Sequence, residues 1–252
     1  MIIEEILKNK KRRKVTGKRL SSLPLLSFSK ALKKGKGLSF IAEIKISSPS
    51  EGELIVGKDP LWILKEYEEN GADAISVITE PSFFKGDLSL LEKVKNSTSL
   101  PVLRKDFIIY PEEIQESWIM GADALLLIVK ILDLSLLRDL LSLTREKGME
   151  AIVEVHEEKE LEMALQAGAK IIGVNNRNLE TMEVNLEVGL RLGRLIPPDC
   201  VKVCESGIKN LKDIKRIEEC GFDAVLVGTS LLKSSSPGKK LRMLKGGREN
   251  ES

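Results

Sequence analysis

Short apolar runs recur along this sequence from residue 40 onward, at 40–44, 74–78, 102–103, 124–129, 151–155, 171–174, 201–204 and 224–227. They lack a clean alternation with polar residues, the pattern expected of parallel strands buried on both faces. The segments between them are charged and carry apolar residues at helical spacing, most plainly at 60–69, 111–120, 135–147, 159–166 and 211–219. Strands and helices therefore alternate, with successive strands roughly 20 to 35 residues apart. Four strands are approached through nearly the same word: Gly71-Ala72-Asp73-Ala74, Gly121-Ala122-Asp123-Ala124, Gly168-Ala169-Lys170-Ile171 and Gly221-Phe222-Asp223-Ala224. Glycine there ends a helix in the left-handed conformation, and a short turn feeds the next strand. One unit is repeated.

Eight such units predict the α/β class and a single (β/α)8 barrel, the TIM-barrel architecture. A doubly wound open sheet is the alternative, but no Gly-x-Gly-x-x-Gly follows the first strand. Residues 1–38 precede the repeat and read as an N-terminal helical extension. Ile2, Ile3, Ile6 and Leu7 form a short stripe, a basic run follows over 8–14, and Pro24 marks a loop. The basic run reads as a solvated helix face or an anion contact; it lacks the interleaved aromatics of a nucleic-acid site. The barrel is expected over 39–245, with a short basic helix starting at Pro237, and residues 246–252 read as a disordered tail.

Composition narrows the function classes. A chain of 252 residues, 42% hydrophobic and 31% charged, has the size and apolar content of one barrel. Lys+Arg 40 against Asp+Glu 38 leave no global field to recruit nucleic acid or a membrane surface. No stretch approaches the ~18 apolar residues of a membrane span. The first residues place charge after a short apolar run, the reverse of a secretory signal. Cys200, Cys204 and Cys220, an odd count without Cys-x-x-Cys spacing, fit a reducing compartment. A soluble cytoplasmic protein is expected. The single histidine, His156, is placed as a loop residue just past the fifth strand and rules out a histidine triad or multi-histidine metal site.

Candidate chemistry collects where the apolar runs end. Glu43 and Lys45 close the first, two positions apart and so on one face. Such a pair is either an ion pair at a frayed strand end or the wall of a polar pocket. Thr79-Glu80, Arg104-Lys105-Asp106, Glu154, Asn175-Asn176-Arg177, Glu205-Ser206-Gly207 and Gly228-Thr229-Ser230 follow at later strand ends. Barrel enzymes build their sites on that rim, and the corner after strands seven and eight is a frequent phosphate site. The alternatives are a structural ring of ion pairs and two ordinary tight turns. With histidine excluded, lysines and carboxylates remain as proton carriers.

Taken together, IAEIK with SSPSEG, TEPSFFKGD, PVLRKDFII, GADALLLI, VEVH, IGVNNRNLET, ESGI and VLVGTSL resemble the indole-3-glycerol-phosphate synthase family of tryptophan biosynthesis, in order over about residues 27 to 235. The resemblance implies ring closure of 1-(2-carboxyphenylamino)-1-deoxyribulose 5-phosphate, with loss of carbon dioxide and water. It implies no cofactor and no metal, because the anilino ring is itself the nucleophile. The partner implied is a phosphorylated small molecule, with neither nucleic acid nor membrane, for a monomer or weak homodimer.

By the same resemblance, Lys105 matches the general acid of condensation and Glu154 the general base of dehydration. Glu43 matches a carboxylate that positions the reacting centre, and Lys45 a lysine on the substrate anions. Asn175 and Arg177 match groups that hold the substrate, the arginine on its carboxylate side. Phe84, Phe107 and Leu126 match the apolar walls around the anthranilate ring. Ser48 and Glu205 match substrate-pocket residues, and Ser206, Gly207, Gly228 and Thr229 the phosphate cradle. Ile46 and Glu51 depart from the family by standing where basic residues are common, which would lower affinity for substrate anions. Cys204 replaces a small residue and should alter only packing. A Schiff-base aldolase using Lys105 or Lys45, or a silent sugar-phosphate-binding barrel, are the competing readings.

Overall fold

The computed structural model describes residues 2–246 apart from 13, 21, 22, 34 and 36, so of the tail expected over 246–252 all but Gly246 lies outside the described residues. Eight parallel strands form a closed barrel: β1 (Ser39–Ile44), β2 (Ala74–Ile78), β3 (Val102–Lys105), β4 (Ala124–Ile128), β5 (Glu150–Val155), β6 (Ile171–Asn175), β7 (Val201–Glu205) and β8 (Ala224–Val227). Their order around the barrel is their order in the chain, and β1 closes the ring by pairing with both β2 and β8. The helices are α1 (Ile2–Asn9), α2 (Phe28–Leu32), α3 (Pro60–Glu69), α4 (Leu88–Asn96), α5 (Pro111–Ile119), α6 (Leu134–Glu146), α7 (Glu158–Gln166), α8 (Leu186–Leu192), α9 (Leu211–Glu219), α10 (Thr229–Leu232) and α11 (Pro237–Leu244). Side chains of Asp59, Asp87, Asp133, Asn185 and Asn210 cap the first turns of α3, α4, α6, α8 and α9, satisfying backbone N–H groups that the helix leaves free.

Three of the four copies of the repeated word carry an aspartate with a physical task. Asp73, Asp123 and Asp223 each accept a hydrogen bond from the backbone of a neighbouring strand, at Phe40 N (2.8 Å), Val102 N (2.8 Å) and Lys202 N (2.9 Å). The turn is thereby stapled to the start of the adjacent strand. Asp123 also pairs with Lys95 at 2.7 Å, both side chains fully buried, which compensates two charges that burial would otherwise penalise.

Two apolar layers enclose the sheet. Outward strand residues such as Ala42, Ile44, Val77, Leu125 and Val153 pack under the helices. Inward residues, among them Ile41, Leu103, Leu126, Ile152, Ile171, Val203 and Leu226, fill the barrel. Phe28 and Leu32 of α2 belong to the inner layer, so this short helix plugs the barrel at the N-terminal ends of its strands. The extension reaches there from the opposite rim. Lys10 pairs with Asp106 (3.2 Å) and with Glu113, Arg12 with Glu112 (2.7 Å), and Arg19 donates to the carbonyl of Gly121 (2.8 Å). Lys10 and Arg12 of the basic run are thus seated on α5 and its flank. Among the described residues no helix is long and apolar enough to cross a membrane.

Candidate active site

Period-two geometry builds the site directly on the inner layer. On β1, β3, β5 and β7 the inward apolar residues Ile41, Leu103, Ile152 and Val203 are each followed two positions later by Glu43, Lys105, Glu154 and Glu205. These four charged side chains line one cavity at the C-terminal ends of the strands. Lys105 Nζ lies 3.2 Å from Glu154 Oε2 and 3.3 Å from Glu205 Oε2. Lys45 Nζ donates to Glu43 Oε1 (2.7 Å) and to Thr229 Oγ1 (3.1 Å), linking the first strand to the last strand-end turn. Asn175 Nδ2 donates to Glu154 Oε1 at 3.1 Å.

Electrostatics divide these groups into distinct states. Burial by itself lowers the Lys105 pKa, yet the facing carboxylates of Glu154, Glu205 and Glu43 outweigh it and hold the ammonium well above the ordinary lysine value. Burial would raise Glu154, but Lys105, His156 and Asn175 together push it well below the carboxylate range. Glu205 goes the other way. Its burial and the neighbouring Glu154 charge prevail over Lys105, and its pKa rises to about 7. Lys105 Nζ is within ion-pair distance, but neither Glu205 oxygen makes a directed hydrogen bond among the described residues. Two carboxylates sharing one cation thus separate into an ionised and a readily protonated partner.

The cavity walls are apolar. Phe84 and Phe107 tilt towards each other, with ring centroids 6.3 Å apart, and Leu126, Ile128 and Leu226 line the floor. Glu80 shapes the loop that carries Phe84 by accepting from the backbone N–H groups of Ser82, Phe83 and Phe84. Asp106, next to Lys105 in the chain, accepts from Thr79 and Arg104 (2.7 and 3.0 Å). Burial would raise its pKa, but Arg104 and Lys10 bring it down to about 2.

Opposite this wall lies a polar corner. Ser206 has φ +65° and Gly207 φ +83°, so the turn after β7 runs through two left-handed residues. Asn176 locks it by donating to the carbonyls of Glu205 and Ser206 (2.8 and 3.0 Å) while accepting from Gly189 N (2.7 Å). Gly228 and Thr229 open α10 beside it, and the Arg177 guanidinium donates to Met182 O at 3.0 Å.

Of the residues singled out in the sequence, Glu43, Lys45, Ser48, Phe84, Lys105, Phe107, Leu126, Glu154, Asn175, Arg177, Glu205, Ser206, Gly228 and Thr229 line this cavity, whereas Gly207 stands behind it against Val184. Neither Ile46 nor Glu51 lines it. Ile46 packs on the outer apolar layer, and Glu51 pairs with Lys233. Cys204 is buried and accepts from Asn176 Nδ2 at 3.3 Å. Ile2 and Ile3 of α1 add to the cavity wall. Their apolar stripe was visible in the sequence, but not the distance it would travel. His156 is no ordinary loop residue either, because its ring reaches Glu154. Among the described residues no three His, Cys, Asp or Glu side chains are placed to hold a metal ion.

The profile of the family described as indole-3-glycerol phosphate synthase matches residues 3–244. The chain belongs to the indole-3-glycerol phosphate synthase family. A relative of that name from Dehalococcoides mccartyi is 48% identical over 226 residues, covering 88% of this chain and 87% of the relative. Another, from Acetivibrio thermocellus, is 48% identical over 220 residues, covering 87% and 85%. Solved structures similar to it include 3-hexulose-6-phosphate synthase from Salmonella typhimurium, at TM-score 0.69 and 16% identity over 83% of this chain and 97% of that one. At that identity the likeness concerns the fold alone.

Proposed function

We propose that the chain is an indole-3-glycerol-phosphate synthase acting on 1-(2-carboxyphenylamino)-1-deoxyribulose 5-phosphate, a carboxy-lyase step of tryptophan biosynthesis. One observation carries the assignment of roles: the Lys105 ammonium is held between two carboxylates inside a cavity with aromatic residues on one side and a polar turn corner on the other. In this reading the substrate phosphate lies at Ser206, Gly207, Gly228 and Thr229, where backbone N–H groups and Lys45 supply donors. The anthranilate ring lies between Phe84, Phe107 and Leu126, its carboxylate towards Arg177, with Ser48 at the loop edge.

Ring closure begins when the anilino ring carbon attacks the ketone carbon. Charge develops on the ketone oxygen, where Lys105 stabilises it and delivers a proton. The ring carboxylate leaves as carbon dioxide, and its bonding electrons restore the aromatic system. Loss of the new hydroxyl as water then needs an acid at the oxygen and a base for a proton on the neighbouring methylene carbon, so that the ring carbon–carbon double bond forms and the N–H is kept. In this reading Glu154 acts as that base and Lys45, which donates to Glu43 at 2.7 Å, as the acid. Asn175 orients Glu154, and Glu205 keeps Lys105 directed inward. A Schiff-base reaction through Lys105 is disfavoured, because it requires a neutral amine there.

The same reading makes this a cytoplasmic enzyme, active as a monomer or weak homodimer, with the extension at 1–38 serving the barrel at 39–245. The deciding experiment is a fluorescence assay for indole-3-glycerol phosphate with the synthetic anilino-ribulose phosphate, on wild type and Lys105→Ala. Product from the wild type and almost none from the variant is expected. A folded wild type that forms no product would refute the assignment.

A further inference from the structure

His156 is the only histidine in the sequence, and the residue roles above leave it unused. It follows Val155, the last residue of β5, and stands two positions beyond Glu154, which puts both side chains on the same side of the extended chain. Its Nε2 lies 3.3 Å from Glu154 Oε1, close enough for an ion pair though off the line of a directed hydrogen bond. On its far side, Nδ1 lies 3.1 Å from Glu160 Oε2 in the first turn of α7. The same Glu160 oxygen accepts the backbone N–H of His156 at 2.6 Å, so ring and main chain are anchored by one carboxylate. The ring is mostly buried and borders a second surface groove that also carries Lys130, Glu157, Lys159, Arg177, Glu180 and Glu183, with Lys130 and Glu180 paired at 2.7 Å. Among the described residues, Glu154 and Glu160 are the carboxylates within ion-pair distance of the ring.

We propose that His156 is a positioning residue for the catalytic glutamate: as an imidazolium braced by Glu160, it holds Glu154 Oε1 and leaves Oε2 turned to Lys105. The two oxygens of Glu154 then have separate partners, Asn175 and His156 on one and Lys105 on the other. Rotation of the carboxylate would exchange them and break both sets of contacts. A second cation behind Glu154 also keeps it ionised while Lys105 gives up its proton, the state in which it can act as a base. The two flanking carboxylates overcome burial and raise the His156 pKa to about 9, so the clamp is charged at neutral pH.

The test has two arms, only the second of which rests on the proposed reaction. With one histidine, the imidazole resonances in 15N-labelled protein need no assignment, and their pH titration is read in wild type and E154Q. The wild-type midpoint is expected well above the ordinary value of about 6.5, and E154Q to lower it by about one pH unit or more. A midpoint near the ordinary value that E154Q does not move would overturn the clamp, whatever the chain catalyses. In the kinetic arm, H156A is expected to lower kcat by roughly tenfold with KM within about twofold, and to move the acid limb of the kcat profile upward. H156Q, which retains an N–H donor, should recover part of kcat. Unchanged kcat in H156A, or equal losses in both variants that track loss of folded protein without moving the limb, would reject a positioning role. A wild type without turnover would refute the proposed reaction, while the resonance titration still decides the clamp.

Discussion

Gly228 on the last strand-end turn leaves the space that the Glu43 carboxylate occupies. A Cβ built on Gly228 would lie 3.0 Å from Glu43 Cβ and well inside contact distance of Oε1, the oxygen that accepts from Lys45. The φ there is −129°, not the positive value that favours glycine, and the close approach of Glu43 gives the glycine its steric reason. Gly173 repeats the arrangement under Glu205: its Cβ would press on Glu205 Oε1 and lie 2.7 Å from Ile152 Cγ2. Two of the three inward glutamates are thus seated over glycines on neighbouring elements.

Gly228→Ala and Gly173→Ala should therefore displace Glu43 and Glu205 respectively. Each is expected to destabilise the fold by about 1–3 kcal/mol through overpacking, and to lower kcat more than the loss of folded protein explains. Urea unfolding and turnover measured on the same preparations check this. Activity and stability both equal to wild type would show that the carboxylates can move aside.

Removing the shared cation should be costly to the fold as well as to the reaction. Lys105→Met leaves Glu154 and Glu205 facing each other with their partner gone, both 1% exposed. A loss of roughly 3–5 kcal/mol is expected near neutral pH. Both carboxyl pKa values would rise, so the variant should regain stability as the pH falls towards about 5. Denaturant titrations across that range would expose the opposite trend if the pair were well hydrated.

Glu205 makes its own contribution to the pH dependence. Its pKa rises on folding from 4.5 to about 7, so the folded state holds the proton more tightly than the unfolded chain. The stabilisation is fully present below about 4.5 and is lost as pH climbs through about 7, by up to about 3 kcal/mol. Glu205→Gln, which cannot ionise, should not show this loss. The difference in unfolding free energy between wild type and variant, followed from about pH 4.5 to about pH 8, measures it; a constant difference would contradict the raised pKa.

In the repeated turn, Asp123→Ala should be among the most damaging substitutions remote from the cavity. It leaves Lys95 fully buried without its carboxylate and frees the backbone N–H groups of Val102 and Leu26. A loss of about 3–5 kcal/mol is expected. The double variant Asp123→Ala/Lys95→Met should recover a substantial part, read as the change in unfolding midpoint. Equal midpoints for the single and double variants would mean that the buried lysine is not the cause.

The barrel was legible because its signals are local and repeated. Apolar runs, helical spacing and the Gly-x-Asp word each concern neighbours in the chain, and together they predicted all eight strands. Period two also put Glu43 with Lys45 on one face, and the strand-end position of Lys105, Glu154 and Glu205 followed from the same pattern. Their mutual states could not be read that way. Whether Glu205 is ionised depends on distances to Lys105 and Glu154, on separate strands, and on the exclusion of water by the layer below. Likewise, Ile2 and Ile3 gave an amphipathic helix its stripe, but only folding brought them to the cavity wall, because nothing local to residues 1–38 specifies which rim the extension meets. His156 read as a loop residue for the same reason: its position depends on β5, but its chemistry depends on Glu160 folding back from α7. Sequence by itself determined the fold, the rim and the residue types on it, since periodicity and turn chemistry act over a few residues. Tertiary structure decided which charges share a partner, since Coulombic interaction and burial act through space between residues far apart in the chain.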